Sequence, residues 1–169
     1  MKPFKRHNRF INFYKMKMKF TAVQMIGTQR SGSNLLRLML NQLEEVSAPH
    51  PPHILERFIP LLSVYGDLAD AKNFSLLVHD VCSLVAYNPV PWKHINLKEN
   101  EIIKRCTSRT LTGITKAIHE LNAENEGAHI WMCKSLGNIH FTDLLEKEIK
   151  PYCPCALPMP LLLTPPKGR

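Results

Sequence analysis

The stretch Val23-Gln24-Met25-Ile26-Gly27-Thr28-Gln29-Arg30-Ser31-Gly32-Ser33-Asn34-Leu35-Leu36-Arg37 passes from an apolar strand through a short glycine-serine loop into an amphipathic helix. A strand that enters a helix through so few residues needs a tight backbone turn, which Gly27 and Gly32 permit. Such a turn aims successive N–H groups and the positive helix end at one point, making a cradle for a phosphate or sulfate.

The spacing of Gly27 and Gly32 is that of the nucleotide-hydrolase phosphate loop, but Ser33 and Asn34 stand where those enzymes carry Lys and then Ser/Thr. Lacking the loop lysine and a hydroxyl at the magnesium-ligand position, the chain is poorly suited to metal-dependent phosphoryl transfer from ATP. Metal-free binding of a phosphosulfate is the expectation. A P-loop kinase or NTPase is the rival reading, and magnesium-dependent ATP turnover would support it.

Around this loop the pattern reads as an opening strand over Phe20 to Ile26 and a helix over Ser33 to Glu45. Leu35, Leu38, Met39 and Gln42 or Leu43 trace an apolar stripe on that helix. Val46 to Pro52 breaks the helix, and Ser47 to His53 forms a proline-stiffened loop. Helices are predicted over Ile54 to Tyr65, Asn73 to Ala86, Leu97 to Arg105 and Thr110 to Asn122, the last with Leu111, Ile114, Ile118 and Leu121 on one face. A second buried strand follows over His129 to Cys133, then a helix over Asn138 to Glu148. This order predicts an α/β fold, a P-loop-like parallel sheet with flanking helices and an incomplete sheet, whose ligand sits at the carboxyl ends of the strands.

Thr28 to Leu36 resembles the 5′-phosphosulfate-binding loop of sulfotransferases that use 3′-phosphoadenosine 5′-phosphosulfate (PAPS), in particular the bacterial-type group with a Thr-x-Arg-Ser-Gly-Ser/Thr signature. Trp131-Met132-Cys133-Lys134-Ser135 is similar to that family's Trp-x-x-Lys-Thr/Ser strand end, and the helical stretch Arg109 to Gly127 is also family-like. The resemblance covers roughly residues 20–150. It implies PAPS as sulfuryl donor, no metal, and a hydroxyl or amine acceptor on a glycan, peptide or small metabolite. The residues it assigns to the cofactor are Thr28, Gln29, Arg30, Ser31, Gly32, Ser33, Asn34, Lys134 and Ser135, with Arg30 also offsetting charge on the bridging oxygen. Related sulfotransferases carry a histidine or glutamate base just beyond the first helix, where this chain has His50, His53 and Glu56. His50 ranks first because the family's acidic base follows a proline in a comparable loop; His53 is second and Glu56 third. An imidazole suits the role, since an unperturbed pKa of roughly 6.5 leaves a neutral fraction at physiological pH. The remaining histidines, His140 among them, read as surface or core positions.

From Pro151 the chain changes character, with six of its thirteen prolines and no acid. Those prolines oppose a central strand or a regular helix. The resemblance implies a strand and an Arg-rich turn here, supplying an arginine and a serine for the 3′-phosphate of PAPS. Without them the chain is expected to keep the 5′ half of the cofactor site and lack the 3′ half. A truncation, a change of reading frame or a natural proline-rich end would each give such a shift. A non-catalytic fragment or pseudoenzyme that binds anions is the reading from another class.

The net charge of +8 is local. Residues 1–19 hold seven basic side chains and no acid, leaving fifteen basic against fourteen acidic groups in the rest. A nearly neutral body without a basic, aromatic-laced face argues against nucleic-acid binding. Lys15, Lys17 and Lys19 interrupt the apolar run from Phe13 to Phe20, so no signal peptide is read, and no later run approaches membrane-spanning length. Five scattered cysteines, an odd number, give no disulfide framework and suit a reducing, cytoplasmic setting. The division expected is a basic extension over 1–19, a sulfotransferase-like domain over 20–150 and a divergent proline-rich tail over 151–169. The extension has no apolar periodicity. A chain starting at Met16 is therefore expected to melt at an unchanged temperature, and a loss of more than a few degrees in a thermal scan would show that the extension packs on the body.

Overall fold

A computed structural model describes residues 19–93 and 95–152. Most of the basic extension, His94, and the proline-rich stretch with Cys153 and Cys155 lie outside the described residues. Along the chain come β1 (Thr21–Gln24), α1 (Ser33–Leu40), β2 (Val46–Ser47), α2 (Ile54–Phe58), a 3₁₀ turn (Ile59–Leu61) and α3 (Leu62–Tyr65). Next are α4 (Ala71–Ala86), α5 (Glu99–Arg105), α6 (Leu111–Glu126), β3 (Ile130–Cys133), a 3₁₀ segment (Leu136–Phe141) and α7 (Thr142–Glu148).

The three strands are parallel in the order β1-β3-β2, with Thr21 opposite Ile130 and Val46 opposite Ile130 on the other side. This is the α/β arrangement expected, with the sheet incomplete. At the open edge of β1, Tyr152 makes one parallel bridge to Val23: its N–H donates to Ala22 O at 2.7 Å, and Gln24 N–H donates to its carbonyl at 3.1 Å.

Side chains alternate across the sheet with period two. Ala22, Trp131 and Cys133 pack with Ala123 of α6 on one face, while Val23, Met25, Val46, Ala48 and Met132 meet Leu40 of α1 on the other. The larger core lies among the helices, where Leu55, Leu77, Val78, Val81, Ile102, Ile114 and Ile118 are buried. A buried hydrogen bond from Asn122 Nδ2 to Ser47 Oγ, 2.9 Å long, fastens α6 to β2.

Several boundaries differ from the sequence reading for identifiable reasons. The first helix stops at Leu40 because the Asn41 side chain accepts the Ala48 N–H at 2.6 Å, and the next residues close 3₁₀-type turns. Pro60, which has no N–H to donate, accompanies the 3₁₀ turn that divides the helix expected over Ile54 to Tyr65. The short strand β2 falls where only a loop was expected; two residues are too few for alternation to register. The largest correction concerns the apolar stripe of α1. Leu35, Leu36, Leu38, Met39 and Leu43 are 45–64 % exposed, whereas Arg37 is 7 % exposed and faces inward. The helix is held from its polar side, with Arg37 Nη1 donating to Ala48 O at 2.7 Å and Asn41 engaging the same residue.

Helix α6, which covers one sheet face, begins at a Thr110 cap whose Oγ1 accepts the Gly113 N–H, and ends at Gly127 in a left-handed conformation. A Cβ at Gly113 would lie 2.5 Å from the Ser108 carbonyl oxygen. Alanine is normally worth about 1 kcal/mol over glycine inside a helix, but a clash with backbone has no flexible partner to yield. Gly113→Ala is therefore expected to lower the melting temperature in a denaturation scan, opposite in sign to helix propensity; a rise would show that the Thr107 to Thr110 turn can give way.

Candidate active site

Two loops leave the carboxyl ends of neighbouring parallel strands and are tied together by buried amides. Gln24 Nε2 donates to Met25 O (2.9 Å) and Ser135 O (3.2 Å), and Asn138 Nδ2 donates to Gln24 Oε1 (2.9 Å). This knot sets the loop after β1 against the segment after β3.

The first loop, 27–32, is exposed and enters α1 through two left-handed residues, Arg30 (φ 60°) and Gly32 (φ 78°). Gly32 is the helix N-cap; it provides no side-chain cap, and the first turn of α1 carries no acid. The N–H groups opening the helix thus keep their positive end uncovered. Asn34 is oriented from below, its Oδ1 accepting from Arg37 Nε at 3.2 Å. Burial depresses the pKa of the Arg37 guanidinium.

Facing this loop is a cleft of about 660 Å³ lined by Gln29, Arg30, Gly32, Ser33 and Asn34 on one side, and by Lys134, Leu136, Gly137 and His140 after β3. His53 and Glu56 complete it. His53 is a second strained position, at φ 57°, where it caps α2. Two of the three non-glycine left-handed residues among the described residues, Arg30 and His53, therefore line one cleft. Strain of roughly 1–3 kcal/mol at such positions persists only where the surroundings hold it. His53 Nδ1 lies 3.4 Å from Glu56 Oε2, without the alignment of a hydrogen bond. Gly137 makes room for that carboxylate, which a Cβ there would strike.

Of the residues singled out from sequence, Gln29, Arg30, Gly32, Ser33, Asn34, His53, Glu56 and Lys134 line this cleft. Thr28 and Ser31 are exposed on the loop outside the lining, the Ser31 hydroxyl being near Gly27. Ser135 is buried in the knot, its carbonyl held by Gln24 and its hydroxyl 3.5 Å from Cys133 Sγ. His50 sits behind the lining: its carbonyl accepts Trp92 Nε1–H at 2.7 Å, and its Nδ1 is buried without a partner. His140 was not singled out. The signal available for it is its spacing, one 3₁₀ turn beyond Gly137.

Burial, then the charges of Arg37, His53 and Lys134, depress the His50 pKa against a smaller opposing contribution from the Pro51 backbone. Its imidazole is neutral at physiological pH. Behind the site His119 lies between Trp92 and Trp131, ring centroids 5.2 and 4.9 Å away. Burial pushes the Cys133 thiol up, but hydrogen bonds from His119 and Ser135 outweigh it and leave the pKa lowered.

The His50 shift carries a stability consequence with a definite sign. Its folded pKa lies below the unfolded value of about 6.5, so the unfolded chain binds more protons between the two. Its contribution is whole above about pH 6.5 and declines as pH falls toward the folded pKa. Denaturant titrations are expected to show His50→Gln flattening the loss of stability over that window, and an unaltered acid limb would exclude the assignment.

No helix among the described residues is long and apolar enough to cross a membrane. Among the same residues no group of three or more His, Cys, Asp or Glu is arranged to hold a metal ion. No curated protein and no solved structure matches the chain. The model of the sulfotransferase family matches residues 22–152, from β1 through the strand-edge bridge at Tyr152 and across both loops of the cleft. The chain belongs to the sulfotransferase family.

Proposed function

We propose that the cleft binds the 5′-phosphosulfate of PAPS and that the chain directs its sulfuryl group to a hydroxyl or amine acceptor. The observation that carries this reading is the uncapped, acid-free N-terminus of α1 opening onto the same cleft as Arg30 and Lys134. That donor set fits a tetrahedral anion: backbone N–H groups for its oxygens and two cations to offset its charge. Space fits as well, since nothing lies within 4 Å of where a Cβ would stand on Gly32.

When bound, PAPS supplies the sulfuryl group; the chain's own part is to hold the anion and move a proton. The amides opening α1 and the Ser33 hydroxyl orient the anion, and Arg30 and Lys134 offset charge at the leaving oxygen. One such preorganised donor typically contributes about 3 kcal/mol to a transition state. For the base, His53 gains on His50. It lines the cleft, and with its proton on Nδ1, the side of Glu56, the neutral ring leaves Nε2 free to take the acceptor proton. His50, neutral and set behind, keeps the rim from accumulating a further positive charge. Three described cysteines, Cys82, Cys106 and Cys133, are free thiols, which favours a reducing cytoplasmic setting. The domain is taken to span 20–150, between the basic extension and the proline-rich tail.

Calorimetry with adenosine 5′-phosphosulfate and with PAPS, each with and without magnesium, tests the reading. Binding of both without magnesium is expected, with little gain from the 3′-phosphate. Arg30→Ala should weaken it by about 1.5–3 kcal/mol, the range for a hydrogen bond to a charged group. Failure of both to bind would overturn the reading, and strict magnesium dependence would favour the nucleotide-hydrolase rival. A PAPS affinity far above that of its partner lacking the 3′-phosphate would place a 3′ pocket on this chain.

A further inference from the structure

We infer that the exposed apolar face of α1 is a docking surface for the chain's own proline-rich segment 153–169. The face is real and unpartnered among the described residues. Leu35 and Met39 stand i, i+4 on the helix, Leu36 and Leu38 flank them, Leu43 follows in the turn after Leu40, and all five are exposed. The opposite side of the helix is already spent on Arg37, Leu40 and Asn41, which engage the sheet face and Ala48. Four large apolar side chains on one short helix and a fifth in the turn after it form a patch that needs a cover.

Topology says which segment can reach it. Tyr152 is bridged to Val23 at the open edge of β1, so the next residues start beside the strand that leads into the loop and α1. Because β1 and β2 enter the sheet parallel, α1 must run back from the loop toward Glu44 and Glu45. Nine residues from Tyr152 to Leu161, at about 3.1 Å each in an extended proline-rich chain, reach about 28 Å. An eight-residue helix is only about 12 Å long.

Composition matches the same direction. The segment carries Leu157, Met159 and Leu161 to Leu163 as apolar side chains, interspersed with prolines, a residue type that favours extended backbone, and Lys167 and Arg169 follow in sequence. At the far end of the helix stand exposed Glu44 and Glu45, for which no ion pair exists among the described residues. The order of leucines and then bases in that segment matches the order of leucines and then acids along α1 and the turn after it.

Met39, in the centre of the face, reports the cover, because thioether oxidation follows exposure. Buried Met25 and Met132 in the same chain report whether the fold is intact. The full chain is treated with dilute peroxide, and sulfoxide at each methionine is followed by peptide mass spectrometry. Met39 is expected to oxidise slowly, at a rate independent of protein concentration. The full-length variant Leu161→Ser/Leu162→Ser/Leu163→Ser should oxidise at Met39 several-fold faster while Met25 and Met132 stay protected. Fast oxidation of Met39 in the unaltered chain would overturn the proposal. Protection lost on dilution would assign the face to a second copy. Protection lost only in Phe10→Ser/Ile11→Ser/Phe13→Ser would assign it to the opposite end of the chain. If the leucine variant exposes Met25 and Met132 as well, charge exchange decides: Glu44→Lys/Glu45→Lys should speed Met39 oxidation, and adding Lys167→Glu/Arg169→Glu should restore protection. No effect from either exchange overturns the proposal.

Discussion

The Gln24 side chain occupies the point at which the cleft is assembled. Its amide donates to the carbonyls of Met25 and Ser135 and accepts from Asn138, so two segments more than a hundred residues apart in sequence meet through one buried group. Each bond alone contributes about 1 kcal/mol, but a buried polar group left unpaired costs about 1–3 kcal/mol, which makes the arrangement cooperative. Shifting the segment after β3 would orphan Gln24, and shifting the loop after β1 would orphan Asn138. The knot therefore fixes the separation between Arg30 on one strand end and Lys134 on its neighbour, on which any shared grip on an anion depends.

The rims add strain to that fixed frame. Arg30 and His53 adopt left-handed backbone that costs an ordinary side chain roughly 1–2 kcal/mol, a conformation that glycine would take freely. Both positions bring a polar side chain, a guanidinium and an imidazole, to the lining of the same cleft. The carboxylate of Glu56 sits beside the imidazole in space that Gly137 leaves open, since a Cβ there would meet the carboxylate oxygen.

What could be read from sequence follows the range of the physics involved. The strand-loop-helix unit and the Lys134 strand end are local patterns, and the residues they nominate, Gln29, Arg30, Gly32, Ser33, Asn34 and Lys134, do meet at one cleft. The parallel order of the sheet followed from both loops trailing strands. His140 escaped because its local signal, the spacing from Gly137, names no partner; the docking of the 3₁₀ segment over α2 brings it to the cleft that Glu56 also lines. The burial of Ser135 escaped for a related reason, since its partner Gln24 lies 111 residues away. Strand β2 was too short to leave a periodic trace, and its partner lies more than eighty residues further on.

Helix α1 shows where periodicity misleads. An apolar stripe with helical spacing says that one face wants to be covered, not which surface covers it. In α1 the sheet is reached by Arg37, whose stem packs inward while its guanidinium satisfies the Ala48 carbonyl, and that choice turns the leucines away. The inversion has a functional logic. Arg37 also orients Asn34 in the first helical turn and adds positive potential near His50, so the side chain that takes the sheet-facing side of the helix is the one that supports the start of α1 after the glycine-serine loop. A leucine at that position would leave Asn34, the Ala48 carbonyl and the His50 environment without their common partner.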